Sequence, residues 1–176
     1  ATLRLIRTLG TSVRDPARTD RAQSGPPAVD RIQRLLVAWG AATQTSRSQS
    51  AKVAAEALQG KERFGSAFSL IRTAQRTATS LRERLSPDAW QVITEMADML
   101  AFEIDDDDGV VSAAEVVLRD LASFAGLAQE NMNRAAGWRF LEMGRRVERA
   151  INTMRFARQF AYDEAGDEDL DILLTL

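Results

Sequence analysis

The sequence contains no cysteine and no histidine. Without cysteine, the chain has neither disulfide bonds nor thiol chemistry. Without histidine as well, it lacks the usual zinc ligands, Cys-His dyads and Ser-His-Asp triads. The side chains that could still take part in a reaction are carboxylates, arginines, lysines, hydroxyls and the single tyrosine, Tyr162. We therefore expect no resident cofactor and favour a chain that is not catalytic on its own, although carboxylates alone can catalyse some reactions.

An excess of one charge is also lacking, as are long apolar runs. The 23 basic and 25 acidic residues leave a formal net charge of −2. This balance gives no electrostatic footprint for nucleic acid or for an anionic membrane. No run approaches the ~18 apolar residues of a membrane span, and no signal peptide is visible. The sequence predicts a cytoplasmic protein whose partners are neither nucleic acids nor membranes.

Glycine and proline are sparse, with 10 and 4 residues among 176. Strand-like alternation is absent, and the apolar residues recur at helical spacing along nearly the whole chain. This pattern predicts a single all-α domain, a multi-helix bundle of about six to eight helices. The polar stretch 14–27, RDPARTDRAQSGPP, is predicted to be a flexible connector.

Capping residues mark several helix boundaries from residue 66 onward. A seam of apolar residues predicts a helix over 66–85, which stops at Ser86, the expected cap of the next helix. Ser112 and Glu115 have the spacing of a capping box and predict a helix start there. A further helix is predicted from 137 to about Tyr162.

The last of these helices opens with GWRFLEMGRRVERA, residues 137–150, and is apolar on two sides with charges between them. Such a helix is usually central in a bundle, which would bury part of its charge. Because lone buried charges are costly, they should find partners on neighbouring helices. Gly144 would let one of these helices approach closely. The internal network predicted on this basis comprises Arg82, Glu130, Arg134, Arg145 and Glu148.

Three interpretations of these charges stay open. In the first, the charges form exposed ion pairs that contribute ~0–1 kcal/mol each. In the second, they form a structural network that fixes helix register. In the third, they line a polar pocket that binds an acidic group or performs chemistry. The candidate residues for the network or for binding are Arg82, Arg84, Glu130, Arg134, Trp138, Arg139, Arg145, Glu148 and Arg149.

An acidic stretch, IDDDDGVVSAAE over 104–115, partly overlays a calcium-binding loop. Asp106, Asp108 and Glu115 fall at positions 3, 5 and 12 of that loop. Position 1 is Ile104, whose side chain cannot bind a metal. The alternative is a solvated turn whose charges lie favourably before a helix N-terminus. We predict that the chain has no metal site. The alternative is a calcium site formed by these three carboxylates.

Two segments resemble a known family. ENMNRAAGWRFLEMGRRVERA, residues 130–150, and SLRERLSPDAW, residues 80–90, resemble the alpha-E domain, a bacterial all-helical domain named for an E-R motif. Glu148 and Arg149 match that motif. Family members begin with a helix that carries an earlier Trp, Gly, Arg and E-R pair, and they continue beyond LDILLTL. Residues 1–176 therefore resemble one alpha-E domain that lacks its first helix and C-terminal end, or a piece of a longer fusion.

The resemblance implies a setting rather than an activity. Alpha-E domains are associated with ATP-grasp ligase-like proteins, to which they can be fused, and with transglutaminase-like peptidases. The first hypothesis is a non-catalytic module that scaffolds or regulates an ATP-grasp-type ligase, in cis or in trans, through the N-terminal helices. The alternative is an enzyme or part-enzyme whose Arg/Glu pocket binds a carboxylate- or phosphate-bearing substrate. A homo-oligomer is a further open alternative.

Overall fold

A computed structural model of the chain describes residues 1–14, 27–43, 49–104, 106–161 and 166–176. Within these ranges the chain forms eight α-helices and one 3₁₀ turn, and no strand, which confirms the predicted all-α fold. The helices are α1 Thr2–Arg14, α2 Pro27–Ala38, α3 Ser50–Gln59, α4 Ala67–Ser80, α5 Pro87–Met99, α6 Asp107–Asn131, α7 Ala136–Phe160 and α8 Asp167–Thr175, with the 3₁₀ turn at Arg82–Arg84.

The connector predicted over 14–27 falls largely outside this description. Arg14 is the last residue of α1, and Pro27 is the first residue of α2. Residues 15–26 lie outside the described residues. None of the helices in the described part of the chain combines the length and the apolar character needed to cross a bilayer.

The first helix occupies the middle of the bundle. Leu5, Ile6 and Leu9 are completely buried, and α1 packs against α2, α3 and α6. A Cβ on Gly10 would overlap the side chain of Val111, so only glycine permits this approach of α6 to α1. Every apolar side chain described in α1 is buried. The described apolar residues of α1 therefore belong to the core, and a partner surface on the N-terminal helices stays a prediction.

Serine caps begin two of the helices, and the cap at Ser86 was predicted. The Ser66 hydroxyl accepts a hydrogen bond from the Ser69 backbone at 3.1 Å, at the start of α4. The Ser86 hydroxyl accepts one from the Ala89 backbone at 3.2 Å, at the start of α5. In each case the side chain satisfies a backbone donor that the first helical turn leaves free. The α4 helix ends at Ser80, however, and not near residue 85.

The long helix α6 begins earlier than predicted. Its cap is Asp106, whose carboxylate accepts a hydrogen bond from the Gly109 backbone. Asp107 and Asp108 lie in the first turn, where negative charge interacts favourably with the helix dipole. Ser112 is consequently inside the helix, and the helix start predicted there is wrong.

The helix α7 lies at the edge of the bundle, so the central position predicted for it is wrong. Of its 25 residues, all of them described, only Phe156 and Phe160 are buried. It packs chiefly against α8 and α2. The physical reason is that α1 already fills the centre. Five large apolar side chains of α7 are exposed by 39% to 69% and form what we call the α7 stripe: Phe140, Met143, Val147, Ile151 and Met154.

Candidate functional site

A cavity of about 650 Å³ lies where α7 meets the start of α1 and the end of α8. Three of the nine candidate residues line it, namely Arg145, Glu148 and Arg149. Arg4 of α1 lines it as well. We call it the arginine cavity. Three arginines and one glutamate thus line one space, although the Arg4 guanidinium already donates to the Leu176 carbonyl. Such a set favours anionic ligands, because guanidinium binds carboxylate and phosphate groups.

Among the described residues, the ion pairs beside this cavity are formed within α7. Arg145 donates to a Glu142 carboxylate oxygen at 2.7 Å, and Arg146 lies 3.7 Å from the other oxygen. Glu148 accepts a hydrogen bond from the Asn152 amide, one turn further along. Arg149 takes part in no ion pair among the described residues. Arg145 therefore pairs with Glu142 and not with Glu148.

Two further candidate arginines stack on aromatic rings. The Arg82 guanidinium lies 5.0 Å from the centre of the Trp90 ring, and that of Arg134 lies 5.5 Å from the centre of Trp138. Such cation–π contacts contribute about 0.5–1 kcal/mol at exposed positions. Arg82 and Arg134 thus contact aromatic rings, whereas the sequence predicted that they pair with charged residues of other helices.

The remaining candidates lie apart from the arginine cavity. Arg84 and Trp138 line a separate cavity of about 330 Å³. Glu130 and Arg139 are exposed. No contact among the described residues joins Arg82, Glu130, Arg134, Arg145 and Glu148 into one network. The single internal network is not formed, and a binding role for these residues stays a prediction.

A second cavity, of about 580 Å³, runs beside the arginine cavity, and we call it the groove. Glu148 and Asn152 line both spaces. The rest of the groove is mainly apolar, with contributions from α7, from α4 and from the segment before α4: Gly144, Val147 and Ile151 of α7, Leu70, Ile71 and Ala74 of α4, and Phe64. Sequence reasoning missed this groove because it joins helices far apart in the chain.

Gly144 faces open space in the groove. A Cβ built on it would meet nothing within 4 Å among the described residues. The sequence predicted that Gly144 lets a helix of this chain approach closely, and that expectation is wrong. Because Gly144 has no side chain, another molecule could approach the α7 backbone closely at this residue.

The acidic stretch 104–115 contains the start of α6. Asp106 is the cap, Asp108 lies in the first turn, and Glu115 is exposed two turns later. With a rise of ~1.5 Å per residue, about 10 Å of helix axis separates Asp108 from Glu115. Across the described ranges, no cluster of three potential metal-binding side chains is present.

Comparison with known proteins identifies relatives of uncharacterised function. Uncharacterised proteins of Mycobacterium tuberculosis and of Mycobacterium bovis are each 25% identical to this chain over 147 residues. The matched region covers 76% of this chain and 17% of each relative, so the chain spans about a sixth of their length. No solved structure matches the chain.

A family model accounts for the whole chain. The matching family is Alpha-E, described as a predicted alpha-helical domain with a conserved ER motif, and the match runs over residues 1–176. The all-helical fold agrees with that description. The chain therefore belongs to the Alpha-E family of helical domains.

Proposed function

We propose that this chain is a non-catalytic helical module that scaffolds or regulates an ATP-grasp-type ligase in a cytoplasmic system that forms amide or peptide bonds. The ligase is part of the same polypeptide or a separate protein. The observation that carries the proposal is the α7 stripe, an apolar face that lies in solvent.

The α7 stripe has the character of a protein-binding surface. It places apolar side chains over about four helical turns, from Phe140 to Met154, on one side of one helix. Contiguous exposed apolar surface of this kind marks interaction sites in soluble proteins, whereas single exposed apolar residues are ordinary. Burying such side chains against a partner removes apolar surface from water, which favours the complex. Only part of this gain becomes affinity, because association also costs translational, rotational and side-chain entropy.

The C-terminal end of α7 is packed into the bundle. This packing holds the exposed part of the helix in a fixed position. Phe160 is completely buried, and Phe156 is buried against Trp39. Arg31 of α2 donates a hydrogen bond to the Gln159 carbonyl at 2.8 Å. A preorganised surface loses less conformational entropy on binding than a mobile one.

The length of the relatives is compatible with a ligase in cis. The chain spans 17% of the curated mycobacterial relatives, so a module of this size has ample room for neighbouring domains there. The same surface would serve a separate ligase equally well.

The test uses the ATP-grasp-type protein encoded in the same polypeptide or beside it in the source genome. Binding to this chain is measured by calorimetry for the wild type and for Val147→Asp. The control is Leu174→Asp, which changes an exposed apolar residue of α8 outside the α7 stripe. We expect Val147→Asp to weaken binding at least about tenfold and Leu174→Asp to leave it unchanged. No binding by the wild type would refute the proposal.

A second candidate function is supported by the arginine cavity. Because Arg4, Arg145 and Arg149 line one space with Glu148, the cavity suits a carboxylate- or phosphate-bearing substrate. The test is the rise in melting temperature on titration with inorganic phosphate or with glutamate. Arg149→Gln should abolish the rise, whereas Arg146→Gln should not, because Arg146 does not line the cavity. An equal rise in both variants, or none in the wild type, would exclude this function.

A further inference from the structure

We infer that the arginine cavity binds a small zwitterionic ligand with an apolar side chain, namely a free α-amino acid or a short peptide with free termini. The inference rests on the second candidate function above and deepens it, because it names the class of substrate. In this arrangement Arg149 binds the carboxylate of the ligand, and Glu148 binds its ammonium group.

Arg149 is the arginine of the cavity that is available to a ligand. The Arg4 guanidinium donates to the Leu176 carbonyl. Arg145 is paired with Glu142. Arg149 lines the same cavity and has no ionic partner in the described ranges. Because a guanidinium group presents its N–H donors in a planar fork that matches both oxygens of a carboxylate, we assign the ligand carboxylate to Arg149.

Glu148 supplies the opposite charge in the same cavity. Its carboxylate forms no ion pair within the described part of the chain. One of its oxygens accepts a hydrogen bond from the Asn152 amide, which leaves the other oxygen and the Asn152 side-chain carbonyl to accept from a ligand. An ammonium group has three N–H donors and no acceptor, so it suits this pair. A purely anionic ligand would be repelled by Glu148, whereas a zwitterion is attracted to it.

The amine of Ala1 lies near Glu148 and also belongs to the lining of the cavity. No ion pair joins the two among the described residues. Burial lowers the pKa of this amine, and the charge of Glu148 raises it to a smaller degree. Burial thus favours the uncharged amine, which leaves the Glu148 carboxylate available to the ammonium group of a ligand.

The positions of the two charges on α7 keep them apart. Arg149 and Glu148 are consecutive residues of the helix, and side chains at i and i+1 do not face each other. A zwitterion carries its ammonium and carboxylate groups on one short spacer, so it bridges two fixed charges that do not pair with each other. Each residue of an extended peptide adds about 3.3–3.6 Å between the termini, so a dipeptide bridges a wider gap than a single amino acid.

An apolar wall lies beside these charges. Phe156, Leu173 and Leu176 line the cavity, and Phe156 and Leu176 are buried in the core, which fixes their positions. Cavities that bind small molecules measure ~300–1,000 Å³ and combine apolar walls with a few polar groups that set the orientation of the ligand. The arginine cavity, at about 650 Å³, has this size and this composition. It therefore suits a ligand with an apolar side chain such as that of leucine.

The experiment compares four leucine compounds by NMR titration of the whole chain. Leucine and leucyl-leucine are zwitterions, N-acetyl-leucine lacks the ammonium group, and leucinamide lacks the carboxylate. We expect at least one of the two zwitterions to bind at least about tenfold more tightly than either blocked compound. The tighter zwitterion shows whether the ligand is an amino acid or a peptide.

Two variants assign the two ends of the ligand. Glu148→Gln should weaken binding of the zwitterion at least about tenfold and should not weaken binding of N-acetyl-leucine. Arg149→Gln should weaken binding of the zwitterion to a similar extent and leave binding of leucinamide unchanged. Glu115→Gln and Arg146→Gln are the controls, because both residues are exposed and neither lines the cavity. Unfolding cannot produce this crossed pattern, since it would weaken binding of every compound.

Three outcomes would overturn the inference. The first is equal binding of the zwitterions and N-acetyl-leucine, which would show that no group of the protein recognises the ammonium. The second is binding of the zwitterion that neither Glu148→Gln nor Arg149→Gln weakens, which would place the ligand outside the cavity. The third is a wild type that binds neither leucine nor leucyl-leucine.

The phosphate titration separates this inference from the candidate function on which it rests. If phosphate raises the melting temperature, Arg149→Gln abolishes the rise and neither zwitterion binds, the cavity binds anions and only the inference fails. If phosphate, glutamate and both zwitterions all leave the wild type unchanged, the candidate function and the inference fail together. The scaffold proposal is tested separately through Val147, which does not line this cavity.

Discussion

The rings of Trp39 and Phe156 lie 5.8 Å apart, centre to centre, with their planes tilted by 43°. Trp39 follows α2, and Phe156 lies in the last third of α7. This contact is where α7 passes from solvent into the bundle. Before it, the α7 stripe is exposed, and after it Phe160 is completely buried. The position of the exposed half of α7 therefore depends on this aromatic pair and on the contacts beside it.

The first prediction concerns the two phenylalanines of α7. Phe156 is 7% exposed, whereas Phe140 is 69% exposed. We expect Phe156→Ala to lower the free energy of unfolding by about 3–5 kcal/mol, because it removes a buried ring and leaves a cavity. Phe140→Ala should change it by less than about 0.5 kcal/mol. Urea titration followed by circular dichroism measures both, and equal losses would contradict the placement of α7.

A second prediction concerns Glu148. Its carboxylate is exposed and accepts a hydrogen bond from Asn152 on the same helix. We expect Glu148→Gln to change the free energy of unfolding by less than about 0.5 kcal/mol, as for other surface substitutions. Thermal melting provides the measurement. A loss of several kcal/mol would indicate the buried ionic network that the sequence suggested.

A third prediction concerns the attachment of α8. The carboxylate of Asp169 is buried, lies 3.6 Å from the Arg31 guanidinium and accepts a hydrogen bond from the Gly166 backbone at 3.1 Å. Because Asp169→Asn removes the charge that Arg31 faces, it should lower the free energy of unfolding by about 1–3 kcal/mol. Asp171→Asn alters an exposed carboxylate of the same helix and serves as the control. Chemical denaturation that gives the same result for both variants would be inconsistent with this contact.

A fourth prediction tests where α6 begins. Asp106→Ala removes the capping carboxylate and should lower the free energy of unfolding by about 1 kcal/mol. Ser112→Ala should have no destabilising effect, because Ser112 is exposed inside the helix, where alanine has the higher propensity. If denaturation shows the reverse order, the helix starts at Ser112 after all.

Much of the fold could be predicted because its signals are local. Helical periodicity predicted the all-α architecture, and the serines before Ala67 and before Pro87 marked two helix starts correctly. Capping depends on residues within one turn, so a short stretch of sequence contains the information. The start of α6 was missed because Asp106 and Ser112 both have the sequence context of a cap. The helix begins after the earlier of the two, Asp106.

The location of α7 could not be predicted in the same way. Periodicity identifies which residues share a face, but not what covers that face. Leu5, Ile6 and Leu9 of α1 are completely buried, whereas residues of the α7 stripe at similar spacing lie in solvent. The arginine cavity could not be predicted for the same reason, because only long-range packing brings Arg4 of α1 and Arg145 of α7 to one space.

The central claim is that the α7 stripe lies in solvent and is free to bind a partner. Since the chain has no cysteine, Val147→Cys introduces a single thiol on the α7 stripe, and Val117→Cys introduces one at a completely buried position of α6. We predict that a thiol reagent labels residue 147 at a rate within about tenfold of a free thiol, and residue 117 only upon unfolding of the chain. Labelling at residue 147 that is as slow as at residue 117 would contradict the account.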